Sequence, residues 1–444
     1  MSTKYLVIKE KIKNFKKKIR VDGDKSISIR SLLLASQAIG VSKAKNLLKS
    51  EDVLSAINCL RSLGIKIMFK NNTCFVEGRG INGFKFRKNI TLDAGNSGTV
   101  GRLILPLIIK TPYKIKIIGD KSLSRRDFSR VTKPLNNIGV NFFPAKKKNL
   151  PLYLKGSNFL RPIKYVENLG SAQCKTSIML ACLNTPGEIK ILAKKSRNHT
   201  ELMYKNLNIP ISIKIGKRFD LIKVSSPKKI NSFKINIPGD ISSSAFFIVL
   251  TLLSKNSQLV LRHINLNPSR LGIIKILNKM GANIKLKNIK KNTGERCGDI
   301  HVKSAKNLKS IICPPSLNSS AIDEFLIIFL VAAKAKGVSY FKNLSELNQK
   351  ESPRLQFGSK ILNMIGIKTK LTKSSIKIYG NPNLNLKKKY KLKNYLKDHR
   401  VMALCTIAAL TLGGKWKVYN PDSIKTSFPS FLKILKKSLG ARIK

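Results

Sequence analysis

Gly23-Asp24-Lys25-Ser26-Ile27-Ser28-Ile29-Arg30-Ser31-Leu32-Leu33-Leu34-Ala35 starts as a polar, charged cluster and runs without interruption into an apolar helical stretch. A helix apolar all round is a buried helix, whereas a single apolar stripe marks a surface one. This stretch therefore predicts an interior helix with charge at its N-terminus. The pattern recurs along the chain. Apolar helical segments open near Ser26, Ser97, Ala172, Ser243, Asp323 and His399, at steps of 71, 75, 71, 80 and 76 residues. Most are followed by a glycine (Gly40, Gly187, Gly337, Gly414) and a short alternating strand such as Glu188-Ile189-Lys190-Ile191-Leu192. A second helix with one apolar face comes next, as at Val53, Leu54, Ile57, Leu60 and Leu63. It stops at another glycine, as at Gly64, Gly139, Gly281, Gly366 and Gly440. Two further strands, such as Ile65 to Phe69 and Cys74 to Glu77, close most copies.

The repeat thus reads helix, strand, helix, strand, strand. Its period exceeds the ~20–50 residues of open solenoids, so closed pseudo-symmetric domains are expected, three copies in each. The fold class is α/β (α+β). The formal net charge is +64, from 86 Lys+Arg against 22 Asp+Glu. Lysines are spread through every copy, with short clusters only at Lys16-Lys17-Lys18, Lys146-Lys147-Lys148 and Lys387-Lys388-Lys389. No arginine-rich arm or interleaved aromatic platform accompanies them, which argues against a specific nucleic-acid partner. The richness in Ile and Asn points instead to the codon bias of an AT-rich genome. The positive field still favours anionic substrates. Seven cysteines without C-x-x-C spacing, and only four histidines, indicate neither a disulfide framework nor a zinc site. The N-terminus has no signal-peptide stretch, and no apolar run reaches membrane-spanning length, so a reduced, cytoplasmic protein without a membrane partner is expected.

The helix openings read Gly23-Asp24-Lys25-Ser26 with Arg30, Gly95-Asn96-Ser97-Gly98-Thr99 with Arg102, and Ser171-Ala172-Gln173-Cys174-Lys175. In the second half they read Pro238-Gly239-Asp240-Ile241-Ser242-Ser243-Ser244, Ile322-Asp323-Glu324-Phe325 and Asp398-His399-Arg400. Hydroxyl residues there can serve as plain N-caps, which is the reading for Ser26, Ser97, Ser242 and Ser243 in isolation. Capping does not explain Lys25, Arg30, Arg102 and Arg400, because cations oppose the dipole at a helix N-terminus and need an anionic ligand or an acidic partner. The second helices open at Ser124-Arg125-Arg126-Asp127, Ser196-Arg197-Asn198-His199-Thr200-Glu201 and Lys350-Glu351-Ser352-Pro353-Arg354. Arg125, Arg197 and Lys175 read as a solvated face. Lys350, Glu351 and Arg354 are denser: a carboxylate between cations at the edge of an anion site can donate or accept a proton.

In their order along the chain, from about Lys25 to Gly440, these motifs resemble the 5-enolpyruvylshikimate-3-phosphate synthases (3-phosphoshikimate 1-carboxyvinyltransferases), enolpyruvyl transferases. Gly119-Asp120 leading to Arg126 and Arg130-Val131 belongs to the same set. The resemblance implies two pseudo-symmetric domains of three βαβαββ-type copies each. Their buried parallel helices would point at a cleft between the domains. Residues 22–237 would form one domain and 1–21 with 238–444 the other, with crossings near 21 and 238. The implied reaction transfers the enolpyruvyl group of phosphoenolpyruvate to the 5-hydroxyl of shikimate 3-phosphate, releasing phosphate through a tetrahedral intermediate, in a monomer that needs no metal or other cofactor. By the same resemblance Lys25, Ser26, Arg30, Ser171, Ala172, Gln173, Ser196, Asp323 and Lys350 would hold shikimate 3-phosphate. Lys25, Gly98, Arg126, Gln173, Arg354 and Arg400 would hold phosphoenolpyruvate. Asp323 would accept the hydroxyl proton, Glu351 would protonate the methylene carbon, and Lys25 would bridge the substrates. Three positions depart from the family pattern: Pro353 replaces an Asp, Asp127 replaces a Pro, and Thr426 stands where some members have a Lys, with Lys425 one step earlier.

Two rivals differ in their residues. The enolpyruvyl transferases that act on UDP-N-acetylglucosamine use Lys-Asn where this chain has Lys25-Ser26, and a loop Cys for which Cys313 is the nearest candidate. A basic RNA-binding or RNA-processing protein, as in the RNA 3'-terminal phosphate cyclases that use a repeat of this kind, would leave Asp323 and Glu351 without a role.

Overall fold

The computed structural model describes residues 4–444. Two compact units emerge. Residues 23–237 with 291–295 form the first, and residues 4–22, 238–290 and 296–444 the second.

The interior helices of the first unit are Lys25–Ser36, Gly98–Leu103 and Ala172–Cys182. Those of the second are Ile241–Leu253, Phe325–Lys334 and His399–Leu412. Beyond their first turns all six are buried on every side except at the terminal residues Leu253 and Lys334, as their composition requires. In the helix Phe325–Lys334, Phe325 through Ala333 are all 2% exposed or less. Each large apolar side chain so buried contributes about 1.5–3 kcal/mol relative to exposure. A Leu330→Ala change should therefore cost about 2–5 kcal/mol. The second copy departs from the regular helix expected through Ile108: Pro106 has no N–H to continue the ladder, so the α-helix ends at Leu103 and a 3-10 turn, Leu105–Leu107, takes over.

The outer helices bury one face. In Glu51–Ser62 the stripe is Val53, Ala56, Ile57 and Leu60, continued by Leu63. Leu54, expected on that stripe, is 44% exposed, because one step from Val53 turns the side chain about 100° around the axis. The glycines that end these helices, Gly64, Gly139, Gly281, Gly366 and Gly440, all have positive φ. That is the left-handed stop which a side chain would strain.

Among the described residues the first four copies carry a four-stranded sheet each and the last two a three-stranded one. A parallel strand pair spans the interior helix, and an antiparallel hairpin follows the outer one. Glycine lets the closing strand run against the helix end: a Cβ on Gly78 would sit 2.2 Å from the carbonyl oxygens of Ala35 and Ala38, and one on Gly380 would sit 2.1 Å from that of Ala335. The chain exchanges strands between copies. Lys16–Ile19, which precedes the first interior helix, pairs with Gln258–Asn265 in the second unit. Lys234–Asn236 takes the corresponding place beside Ile39–Lys45 in the first. The last copy is finished by the N-terminal strand Tyr5–Ile8, which pairs antiparallel with Gly413–Tyr419.

Candidate active site

In the first unit the caps are one aspartate and two serines. Asp24 accepts the N–H of Ile27, Ser97 that of Val100, and Ser171 that of Cys174. In the second unit Asp240 caps Ser242 and Asp398 caps Arg400. Ser97 is thus a cap as expected, while Ser26, Ser242 and Ser243 are not, since an aspartate in the preceding turn already occupies that position.

Lys25 has an acidic partner, Asp52, at 2.8 Å from its Nζ. Arg30, 5% exposed, does not. Its Nε and Nη2 donate to the hydroxyls of Thr200 (2.9 Å) and Thr176 (3.2 Å), and its Nη1 to the carbonyl of Ser26 (3.1 Å). Among the described residues no carboxylate is in ion-pair contact with it. Burial pulls its pKa down to about 10, opposed by the charges of Glu201 and Asp24. A buried guanidinium held by neutral oxygens lacks the counter-charge that burial calls for, and an anion would supply it.

Arg102 stacks on Phe128 (5.2 Å) and donates to Gln173 Oε1 (2.6 Å) and to the carbonyl of Asp127 (2.9 Å). The Gln173 amide nitrogen donates in turn to Thr99 (3.0 Å), which ties the second and third openings together. Gly98 admits Arg126 to the helix end: a Cβ there would lie 2.6 Å from Arg126 Nη1. Arg126 is carried by a loop that Asp120 organises. The Asp120 carboxylate accepts from Asn96 (2.6 Å) and from the N–H of Leu123 (2.8 Å). The helix expected to open at Ser124 is a 3-10 turn, Leu123–Arg125; the α-helix begins at Ser129, whose N–H donates to Asp127. Ser171, Ala172 and Ser196 are half-buried, and the Ser196 hydroxyl, buried as an atom, has no hydrogen-bond partner among the described residues. Arg125 is exposed and Arg197 half-buried. Lys175 is not on a solvated face: it is 2% exposed and pairs with Glu201 at 2.5 Å. A face reading fails there because the third interior helix has no solvent side.

The second unit gathers carboxylates. Arg354, 1% exposed, opens an outer helix and meets three of them: Asp398 at 2.9 Å, Asp323 at 3.4 Å, and Glu351. Burial would depress its pKa, but Asp398, Glu351 and Asp323 outweigh it and hold Arg354 above its ordinary value. Asp398 is the deepest of the three. Burial opposes its charge, yet Arg354 overcomes that and keeps its pKa below the usual carboxylate range. Ser352 also donates to Asp398, at 2.8 Å. Lys350 Nζ lies 3.6 Å from Asp323 Oδ1, and Arg400 donates to the Asp323 carbonyl at 2.7 Å. Asp323 and Glu351 therefore sit on one guanidinium, with an ammonium beside them. Pro353 stands at the N-cap position of the Arg354 helix and makes no side-chain capping bond. Lys425 is instead paired with Asp422 at the surface (2.7 Å). Cys313 is 2% exposed, and burial pushes its thiol up to about 11, the opposite of a reactive loop cysteine.

Residues 9–435 match the family model described as EPSP synthase (3-phosphoshikimate 1-carboxyvinyltransferase). The chain belongs to the EPSP synthase family. The 3-phosphoshikimate 1-carboxyvinyltransferase of Ruthia magnifica subsp. Calyptogena magnifica is 37% identical over 423 residues, 94% of this chain and 94% of its own length. That of Caldicellulosiruptor saccharolyticus is 37% identical over 421 residues, 94% of this chain and 95% of its own. The solved EPSP synthase of Acinetobacter baumannii superposes with a TM-score of 0.86 at 32% identity, covering 100% of this chain and 99% of that one. The enolpyruvyl transferase NikO from Streptomyces tendae shares the fold, with a TM-score of 0.78 at 15% identity over 99% of this chain and 98% of its own.

Several partners were absent from the sequence reading. Asp52 looks like an ordinary first-turn acid of its helix, next to Glu51. Glu201 likewise sits in the first turn of the helix His199–Asn206. Both face cations from interior helices, and only the assembled unit shows it. Asp398 was read as part of an opening, and its place under Arg354 depends on a contact 44 residues away in sequence. Among the described residues no helix is long and apolar enough to cross a membrane.

Proposed function

We propose that this chain transfers the enolpyruvyl group of phosphoenolpyruvate to the 5-hydroxyl of shikimate 3-phosphate, releasing phosphate, as a monomeric cytoplasmic enzyme of the shikimate pathway. The observation that carries the assignment of residues is the seating of Asp323 and Glu351 on the Arg354 guanidinium, with Lys350 beside Asp323. Two carboxylates held that closely beside cations suit proton transfers at two atoms of one reaction.

In the addition step the 5-hydroxyl oxygen bonds to C2 of phosphoenolpyruvate, its proton passing to Asp323, while Glu351 delivers a proton to the methylene C3. Elimination then returns a C3 proton to Glu351, breaks the C2–O bond to phosphate, restores the double bond and releases phosphate, which carries away the proton held by Asp323. Neighbouring cations favour the ionised carboxylates, so the protonated form of Glu351 is a transient one. Lys25, Ser26, Arg30, Ser171, Ala172, Gln173, Ser196, Asp323 and Lys350 hold shikimate 3-phosphate. Lys25, Gly98, Arg126, Gln173, Arg354 and Arg400 hold phosphoenolpyruvate. In support, among the described residues Arg30 is buried without a carboxylate in ion-pair contact and the Ser196 hydroxyl has no partner, and Arg126 lies against the Gly98 helix end. Each substrate carries a phosphate and a carboxylate, and such groups complete positions of this kind.

A phosphate-release assay with phosphoenolpyruvate and either shikimate 3-phosphate or UDP-N-acetylglucosamine tests the reaction. Turnover is expected with the first acceptor alone; turnover with the nucleotide sugar alone would overturn it. Gel filtration with light scattering checks the monomer.

A further inference from the structure

The acid next to Asp323 takes no part in the chemistry just described, and its surroundings are unusual. Glu324 is 1% exposed. Its Oε1 accepts the hydroxyl of Ser242, from the opening of the helix Ile241–Leu253, while its Oε2 is buried with no hydrogen-bond partner among the described residues. Ser242 is held from the other side by Arg270 Nη2 at 2.6 Å, and the same nitrogen reaches Asp240 Oδ1 at 3.4 Å. A chain of polar contacts therefore runs from Asp240 through Arg270 and Ser242 to Glu324, and by one peptide bond to Asp323.

Half-satisfied buried carboxylates are costly, and Glu324 cannot be explained as a cap, since its side chain makes no capping bond to the helix Phe325–Lys334 that it precedes. What the contact does is geometric. The N–H groups of Ile327 and Ile328 bond to the Glu324 carbonyl at 3.1 and 3.0 Å, which places this residue at the start of the helix ladder. The side-chain tie to Ser242 then fixes this helix end against its neighbour. The Asp323 carbonyl is fixed independently by Arg400 at 2.7 Å. With both flanks held, the Asp323 carboxylate has little freedom except toward Arg354 and Lys350.

We propose that Glu324 is a positioning residue for the transfer reaction, acting through Ser242 and Arg270 to hold Asp323 where it meets the substrate hydroxyl. This rests on the role given to Asp323 above. Displacement of a proton acceptor by about 1 Å can cost up to roughly a hundredfold in rate while leaving binding nearly intact. Steady-state kinetics on Glu324→Ala, Ser242→Ala, their double variant and Glu324→Gln test it, with thermal melts alongside. Glu324→Ala and Ser242→Ala should each lower kcat by roughly ten- to a hundredfold with little change in KM for either substrate. The double variant should be no slower than Glu324→Ala, because both break one link. Glu324→Gln keeps an acceptor for Ser242 and should recover most of kcat. Unchanged kcat in folded Glu324→Ala, additive losses, or a loss that moves only KM would overturn the proposal. Should Glu324→Ala fail to fold, Ser242→Ala, which removes one hydroxyl, carries the same test. Wild-type turnover and the Asp323→Asn variant report on the reaction itself, so failure there is distinguishable from failure here.

Discussion

The helix openings of the two units use one scaffold for opposite electrostatics. In the first unit Lys25, Arg30, Arg102 and Arg126 stand at or beside the openings, and Arg30 is buried among hydroxyl and carbonyl oxygens. In the second, Asp323, Glu351 and Asp398 surround a single arginine, and Arg400 turns to a backbone carbonyl. Lys25, Arg30, Arg102, Asp323 and Arg400 stand at the starts of interior helices, while Arg126 is carried by a loop and Glu351 and Arg354 stand at the start of an outer helix. The repeat accounts for the buried frame, and on the proposed function its polar exceptions would divide the work into holding anions and moving protons.

The largest effect that can break this division is on turnover. Glu351→Gln and Asp323→Asn should each lower kcat by about 10²–10⁴-fold, read in the phosphate-release assay. Substitutions in the first unit should not mimic that pattern. Next comes Arg354→Ala, which leaves three carboxylates facing one another; a stability loss of about 3–5 kcal/mol is expected in denaturant melts, together with loss of activity. In the first unit Arg30→Ala should raise KM for shikimate 3-phosphate by about ten- to a hundredfold, the worth of a charge-assisted contact. Gly98→Ala should leave the melting temperature close to wild type, because the displaced Arg126 end is flexible, while KM for phosphoenolpyruvate rises by several-fold. A melting temperature that falls steeply there would mean that Gly98 serves the fold and not the guanidinium.

The smallest effect is in pH. Asp398 has a folded pKa below its ordinary 3.8. Its contribution to stability is therefore complete above that ordinary value and disappears as the pH falls through the lowered one. Acid melts should lose part of their slope below about pH 4 in Asp398→Asn, compared with wild type.

The interior helices were legible because nothing but burial accommodates runs such as Phe325 to Ala333. The glycine stops were legible for an equally local reason, their left-handed backbone. Reading failed where a residue's meaning is set by another copy. Lys175 looks like a surface charge until Glu201 is brought to it, and Asp52 looks like a dipole-favouring first-turn acid until Lys25 is. Ser26 and Ser242 were open to reading as caps because the aspartates two residues ahead of each could not be ranked against them by pattern alone. The motif residues that the family resemblance singled out do fall at the openings. Their partners, Asp52, Asp120, Glu201 and Asp398, were the part that needed coordinates.

The division between the units is tested most directly by kcat and KM for shikimate 3-phosphate in Arg30→Ala and Glu351→Gln, measured side by side with folding checked. Arg30→Ala is expected to raise KM with kcat largely kept, and Glu351→Gln to lower kcat with KM largely kept. If both variants moved the same constant, or if Glu351→Gln turned over at the wild-type rate, the two halves would not divide the work as described.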